Sequence, residues 1–190
     1  MTDEDWAGYY AKLTGRPPRP LFSRVRSIYL TEGRTRTAVD LGCGDGTETV
    51  AMLDDGLSVT AIDQSASSMQ LVHERAGTRP GLTTVQARLE TVELPPTDLL
   101  YSGLTLPFCH PDHFPALWDG VCGSLRPNGL LAVHLFGDRH GWRREEMTFV
   151  TREQVEDLIS GLKVLDLRED DIQHEPRHPD SCCVRRQTTE

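Results

Sequence analysis

No stretch of the 190 residues approaches the run of about eighteen apolar residues that marks a membrane-spanning helix. Basic charge is equally scarce at the start: the first eleven residues carry Asp3, Glu4 and Asp5 and no lysine or arginine, the wrong sign for a signal or transit peptide. Paired cysteine motifs are missing too. The five cysteines (Cys43, Cys109, Cys122, Cys182 and Cys183) are odd in number and show no C-x-x-C spacing, so they read as reduced thiols rather than a disulfide framework or zinc site. Positive charge is in deficit throughout, with 20 lysines and arginines against 29 acids and a net charge of −9, which argues against a nucleic-acid backbone as partner. These shortages lead to the expectation of a soluble cytoplasmic protein with no membrane, nucleic-acid or metal partner. Its length fits one domain, by the usual span of roughly 100 to 200 residues.

What is present is an alternation of periods. Trp6, Tyr9, Tyr10 and Leu13 share one stripe of a helix over 3–14, ended by Gly15. The run Arg16-Pro17-Pro18-Arg19-Pro20 breaks it, and Leu21, Val25, Ile28 and Tyr29 mark a second amphipathic helix. From residue 37 onward short apolar strands (37–41, 57–62, 82–87, 97–101, 129–136, and near 163–168 and 181–187) alternate with helices at 45–55, 65–76, 112–125 and 151–160. This pattern predicts an α/β fold: a Rossmann-like, doubly wound, mostly parallel seven-stranded sheet with helices on both faces. The expected organisation is a single domain, with residues 1–33 as a helical lid or cap and 34–190 as the core.

The most informative stretch is AVDLGCGDGTET, residues 38–49, where a strand runs through Gly42, Gly44 and Gly46 into a helix. Glycines there permit a tight turn and the approach of a ligand to the backbone. The spacing is G-x-G-x-G rather than the G-x-G-x-x-G of dinucleotide sites. Asp40, Asp45 and Glu48 would repel a pyrophosphate and suit a ligand bearing an ammonium and a sulfonium. Asp45 and Glu48 also read as ordinary helix-start acids, which leaves Asp40 as the better ligand candidate. Asp63, closing VTAID, can accept from both hydroxyls of a ribose or act as N-cap of the next helix; in the ribose role it places Gln64 beside the adenine.

Through AVDLGCGDGTET, VTAIDQS and LRPNGLLAVHLFG the chain resembles the class I S-adenosylmethionine-dependent methyltransferases. The resemblance implies S-adenosylmethionine as cofactor, its methionine part at the glycine turn of Gly42 and Gly44, its ribose at Asp63, and adenine contacts at the exit of the third strand. At that exit Arg88 stands where many relatives carry an acid, so Leu89 and Glu90 become the adenine candidates. The YY…GRPPRP element and MTFVTREQVEDLIS are similar to small bacterial tellurite-resistance-type methyltransferases, whose acceptors are diverse; the lack of an obvious extra domain or large insertion for holding a macromolecule leads to the expectation of a small-molecule or metalloid acceptor.

Ligands of open α/β sheets sit beyond the carboxyl ends of the strands, so the acceptor side is expected in LLYSGLTLPFCHPDHF, residues 99–114. Tyr101 and Ser102 first reach the cofactor level, and His110 and His113 are the candidate general bases. Tyr10 and Arg16 of the lid are candidate cofactor contacts, the arginine toward the methionine carboxylate. Tyr29 and His134 read as core residues, His174 and His178 as surface-loop residues, and Cys182 and Cys183 as packing residues. The competing functions are a non-catalytic S-adenosylmethionine-binding sensor and an NAD-dependent oxidoreductase.

Overall fold

The computed structural model describes residues 3–13, 15–141, 143–169 and 180–186. Two helices lead, α1 (Asp3–Leu13) and α2 (Pro20–Glu32), followed by β1 (Thr37–Leu41), α3 (Thr47–Asp54), β2 (Ser58–Asp63), α4 (Ala66–Ala76) and β3 (Leu82–Gln86). Next come β4 (Thr97–Ser102), α5 (Phe114–Ser124), β5 (Leu125–Leu135), α6 (Arg152–Leu158), β6 (Leu162–Arg168) and β7 (Asp180–Arg186). They form one seven-stranded sheet of order β3-β2-β1-β4-β5-β7-β6, parallel except for β7, which runs antiparallel between β5 and β6. The expected fold class is thus observed. No described helix is long and apolar enough to cross a membrane.

The strand sequences explain the layering, because successive side chains leave opposite faces. Ala38 of β1, Val59 of β2, and Leu99 and Tyr101 of β4 pack with α2 and α3 on one face. Val39, Leu41, Leu100, Leu131 and Val133 pack on the other, against α5 and Val155 of α6. No helix joins β3 to β4; residues 87–96 cross that second face in irregular conformation, and Ala87, Leu89, Val92 and Leu94 supply the covering apolar surface.

Local signals set the helix ends. Pro20 occupies the first turn of α2, where its missing N–H costs nothing, and Gly33 closes it at φ 64° with its N–H on Tyr29 O. Thr151 and Gln154 cap α6 reciprocally. At β5 the expectation is corrected: pairing begins at Leu125 opposite Thr97, and a register shift accommodates the turn at Asn128, whose φ is 63°.

The boundary expected at residue 33 also moves. Leu21, Phe22, Val25 and Tyr29 of α2 are fully or almost fully buried in the main core, so α2 packs within the body of the fold, while α1 packs against α4 and over Phe108. Tyr29 and His134 are buried as expected, and the Tyr29 hydroxyl donates to Asp55 Oδ2 at 2.5 Å. His174, His178 and the side chains of Cys182 and Cys183 lie outside the described residues.

Candidate active site

The glycine turn is stitched to its neighbours by its own backbone. Gly42 and Cys43 both donate to Ile62 O, at 2.7 and 3.0 Å, which ties the end of β1 to the end of β2. Gly42 has φ 76°, and a Cβ there would lie 2.0 Å from Thr105 Oγ1, so both conformation and packing demand glycine. Gly44 has φ 53°, and its open side faces the Tyr10 ring, whose Cε1 lies 3.1 Å from where a Cβ would stand. The sequence assigned that space to a ligand; an aromatic ring of α1 abuts it.

Asp63 joins three segments. Its Oδ1 accepts the Ser65 N–H at 3.0 Å, and its Oδ2 accepts the Gly44 N–H at 3.0 Å and the Tyr10 hydroxyl at 3.3 Å. The N-cap of α4 is Ser65, whose hydroxyl accepts from Ser68 N, so the capping alternative for Asp63 does not hold. Burial raises the Asp63 carboxyl above the ordinary range, and the Ser65, Gly44 and Tyr10 donors work against that rise.

Two more acids, Asp45 and Glu48, are held by arginines. Arg16 grips Glu48 with a two-pronged contact (Nη1 to Oε1 at 2.7 Å, Nη2 to Oε2 at 2.6 Å) and reaches Asp45 Oδ1 at 3.0 Å. Arg75 of α4 donates to the other oxygen of Asp45 at 2.6 Å. Glu48 also accepts the Arg19 backbone N–H at 2.9 Å. Asp45 and Glu48 therefore latch the α1–α2 junction and α4 to the start of α3, beyond an ordinary capping role. Both terminal nitrogens of Arg16 already serve carboxylates of the protein, which leaves its Nε, buried without a hydrogen-bond partner among the described residues, as its donor toward the expected ligand carboxylate. Asp40 is fully buried and accepts from Thr49 Oγ1 at 2.5 Å. Burial, then the charge of Glu48, pushes its carboxyl up to about 7.

These parts enclose a cavity of about 430 Å³ at the carboxyl ends of β1, β2, β4 and β5. Of the residues predicted from sequence, Asp40, Gly42, Gly44, Asp63, Gln64, Leu89, Glu90, Tyr10 and Arg16 line it. Ser102 does not: its fully buried hydroxyl donates to Leu41 O at 2.9 Å, inside the sheet. His110 and His113 do not either. After β4 the chain turns inward at Leu106–Phe108, burying Leu106, Pro107 and Cys109, which carries the histidines away. His110 Nδ1 accepts the Asp112 N–H at 3.2 Å, and His113 is exposed ahead of α5.

The loop's cavity face is instead Gly103, Leu104, Thr105 and Phe108, joined by Phe136, Arg144, Glu146 and Met147 from beyond β5 and by Arg19 and Tyr101. Sequence reasoning missed most of these. The one available signal was the mixture of aromatic and charged residues after β5. An aromatic wall runs from α1 across the cavity: Trp6 stacks on Tyr10 at 5.8 Å and meets Phe108 edge-on at 5.2 Å, and Phe108 meets Phe136 at 6.3 Å. Six carboxylates (Asp40, Asp45, Glu48, Asp63, Glu90, Glu146) and three guanidiniums (Arg16, Arg19, Arg144) line it, with Asp45 and Glu48 paired to Arg16 and Arg75, and Glu90 to Arg88.

Residues 38–129 match the family model described as a methyltransferase domain. A trans-aconitate 2-methyltransferase of Rhizobium leguminosarum is 30% identical over 134 residues, covering 68% of this chain and 49% of that protein. A malonyl-[acyl-carrier protein] O-methyltransferase of Enterobacter lignolyticus is 31% identical over 143 residues, covering 68% of this chain and 55% of that protein. The chain thus spans about half the length of the curated relatives it matches. Among solved structures, TehB from Haemophilus influenzae superposes with a TM-score of 0.76 at 12% identity, over 96% of this chain and 67% of that one, which supports the shared fold. Glycine turn, strand order and sequence matches agree: residues 38–129 form a methyltransferase domain, on the fold of the class I S-adenosylmethionine-dependent methyltransferases.

Proposed function

We propose that this chain transfers a methyl group from S-adenosylmethionine to a small organic acceptor within the cavity described above. The observation that carries the reading is the convergence of the glycine turn, Asp63 and the β4 and β5 exits on one enclosed space. The residues fit the cofactor. Asp63 stands at the end of β2, where a ribose diol is accepted, and the aromatic wall of Trp6, Tyr10 and Phe108 offers faces to a sulfonium. Gly42 and Gly44 would hold the methionine part, Leu89 and Gln64 would flank the base, and Asp40 would accept from the ammonium. When bound, the cofactor supplies a methyl group already activated by the positive sulfur.

The protein's contribution is then alignment and exclusion of water. Trp6 and Tyr10 of α1 close the cavity from above, and α1 acts as its lid, pivoting at Gly15, whose φ is 81°, beside the latched Arg16. No described histidine lines the cavity. An acceptor that is nucleophilic without deprotonation fits this wall, and a carboxylate is the simplest such group. The names of the matched trans-aconitate 2-methyltransferase and malonyl-[acyl-carrier protein] O-methyltransferase support that class. The aromatic wall offers apolar surface that favours an organic acceptor over a metalloid oxyanion.

Incubation with isotope-labelled S-adenosylmethionine and a panel of carboxylic acids, amines and metalloid anions tests the reading. Mass spectrometry is expected to find a labelled methyl ester. Cofactor binding without turnover on any acceptor would favour a sensor, and product only from a metalloid would overturn the organic assignment.

A further inference from the structure

Tyr101 stands opposite Asp40 in the β1–β4 register, and its ring is fixed edge-on against Phe22 at 5.4 Å and 85°. The residue is 1% exposed and lines the cavity, yet its hydroxyl oxygen has no hydrogen-bond partner among the described residues. An unpartnered buried hydroxyl is costly, so one that persists at a cavity wall calls for a ligand atom. The following chain makes room for it: a Cβ on Gly103 would lie 2.7 Å from that oxygen. Burial, then the charges of Glu48 and Asp40, pushes the hydroxyl well above the ordinary phenol range, so it remains a protonated donor.

Arg19 is the complementary group. It lines the same cavity, its positive charge is felt at Tyr101, and among the described residues its guanidinium has neither an ion pair nor a hydrogen bond. The acids nearby do not cancel it, because Glu48 is already gripped by Arg16 and Asp40 is held by Thr49. The geometry points to Tyr101 and Arg19 as a carboxylate-binding subsite, the hydroxyl and the guanidinium donating to one ligand carboxylate. This rests on the proposed cofactor cavity and adds Tyr101 and Arg19 to the carboxylate contact expected of Arg16, whose terminal nitrogens already serve Glu48 and Asp45. Two carboxylates have this chemistry: the one on the cofactor's amino-acid tail and one on the acceptor.

Calorimetry on the wild type, Tyr101→Phe and Arg19→Gln separates them. Three probes suffice: S-adenosylhomocysteine, 5′-methylthioadenosine, which lacks the amino-acid tail, and trans-aconitate. If the tail binds here, each variant weakens S-adenosylhomocysteine about tenfold while methylthioadenosine stays within about twofold. If an acceptor carboxylate binds here, both nucleosides are unaffected and trans-aconitate weakens about tenfold. No change for any probe, or equal weakening of both nucleosides, overturns the subsite. A wild-type protein that binds neither nucleoside refutes the cofactor cavity instead, and the trans-aconitate comparison still reads the subsite. Thermal melts of both variants guard against a loss that merely reports unfolding.

Discussion

The two leading helices have the same kind of sequence and different fates. Each carries an aromatic and aliphatic stripe at helical spacing, and they are separated by one proline-rich joint. In α2, Leu21, Phe22 and Val25 are fully buried between α3 and the sheet. Among the described side chains of α1 only Tyr10 reaches comparable burial, at 6% exposed, while Trp6 and Tyr9 remain partly exposed over the cavity. The comparison teaches that amphipathicity specifies that a stripe must be covered, and leaves open whether protein or ligand covers it. The joint decides the outcome: Arg16 clamps Glu48 and Asp45, so α2 starts from a fixed point and α1 hangs beyond it.

Substitutions that treat the two helices alike would break this contrast. The largest effect is expected from Phe22→Ala, which empties a core position and lowers stability by about 3–5 kcal/mol, seen as a reduced Tm with unchanged S-adenosylhomocysteine affinity of the folded fraction. Next is Asp63→Ala, where α1 touches the site: loss of a charged acceptor costs about 1.5–3 kcal/mol of binding, or roughly ten- to a hundredfold in Kd by calorimetry. Trp6→Ala on α1 is expected to weaken the ligand by about 0.5–1 kcal/mol and to leave Tm nearly unmoved. A Tm drop as large as that of Phe22→Ala would make α1 a structural strap.

Asp40 sharpens the comparison beneath the other helix. With its folded carboxyl at about 7 and an unfolded value near the usual carboxylate range, the native state holds a proton that the unfolded chain has lost. Stability on its account therefore falls as pH rises from about 4 through about 7, and Asp40→Asn should flatten that part of a Tm-against-pH profile. The smallest effect belongs to His110→Ala and His113→Ala, expected to leave turnover with an accepted substrate unchanged; a tenfold loss would bring the loop back into the chemistry.

The cofactor half of this site was readable because its constraints are local. The turn at Gly42 and Gly44 and the acid at Asp63 follow from strand-end positions and fixed backbone needs. The acceptor half depends on which way a loop turns after β4, and that was settled by the burial of Leu106 and Cys109 in a core assembled from distant strands. Sequence spacing favoured His110 and His113 for their chemistry, whereas packing presented Leu104, Thr105 and Phe108. Tyr101 was equally opaque, since a core aromatic and a cavity hydroxyl look the same until the atom next to the oxygen is known.

The antiparallel β7 has a consequence for how the chain is made. It lies between β5 and β6, so β5 cannot complete its pairing until β7 has been synthesised, long after β5 itself. Meanwhile the ladder groups of Leu130–Leu135 form an open apolar strand edge on the nascent chain, the kind of template that invites pairing with another molecule. Released chains truncated just before residue 180 should therefore engage chaperones or aggregate, and chains that include residues 180–186 should be free of that hazard. The strand that finishes the sheet thus also acts as its edge guard, and it arrives last.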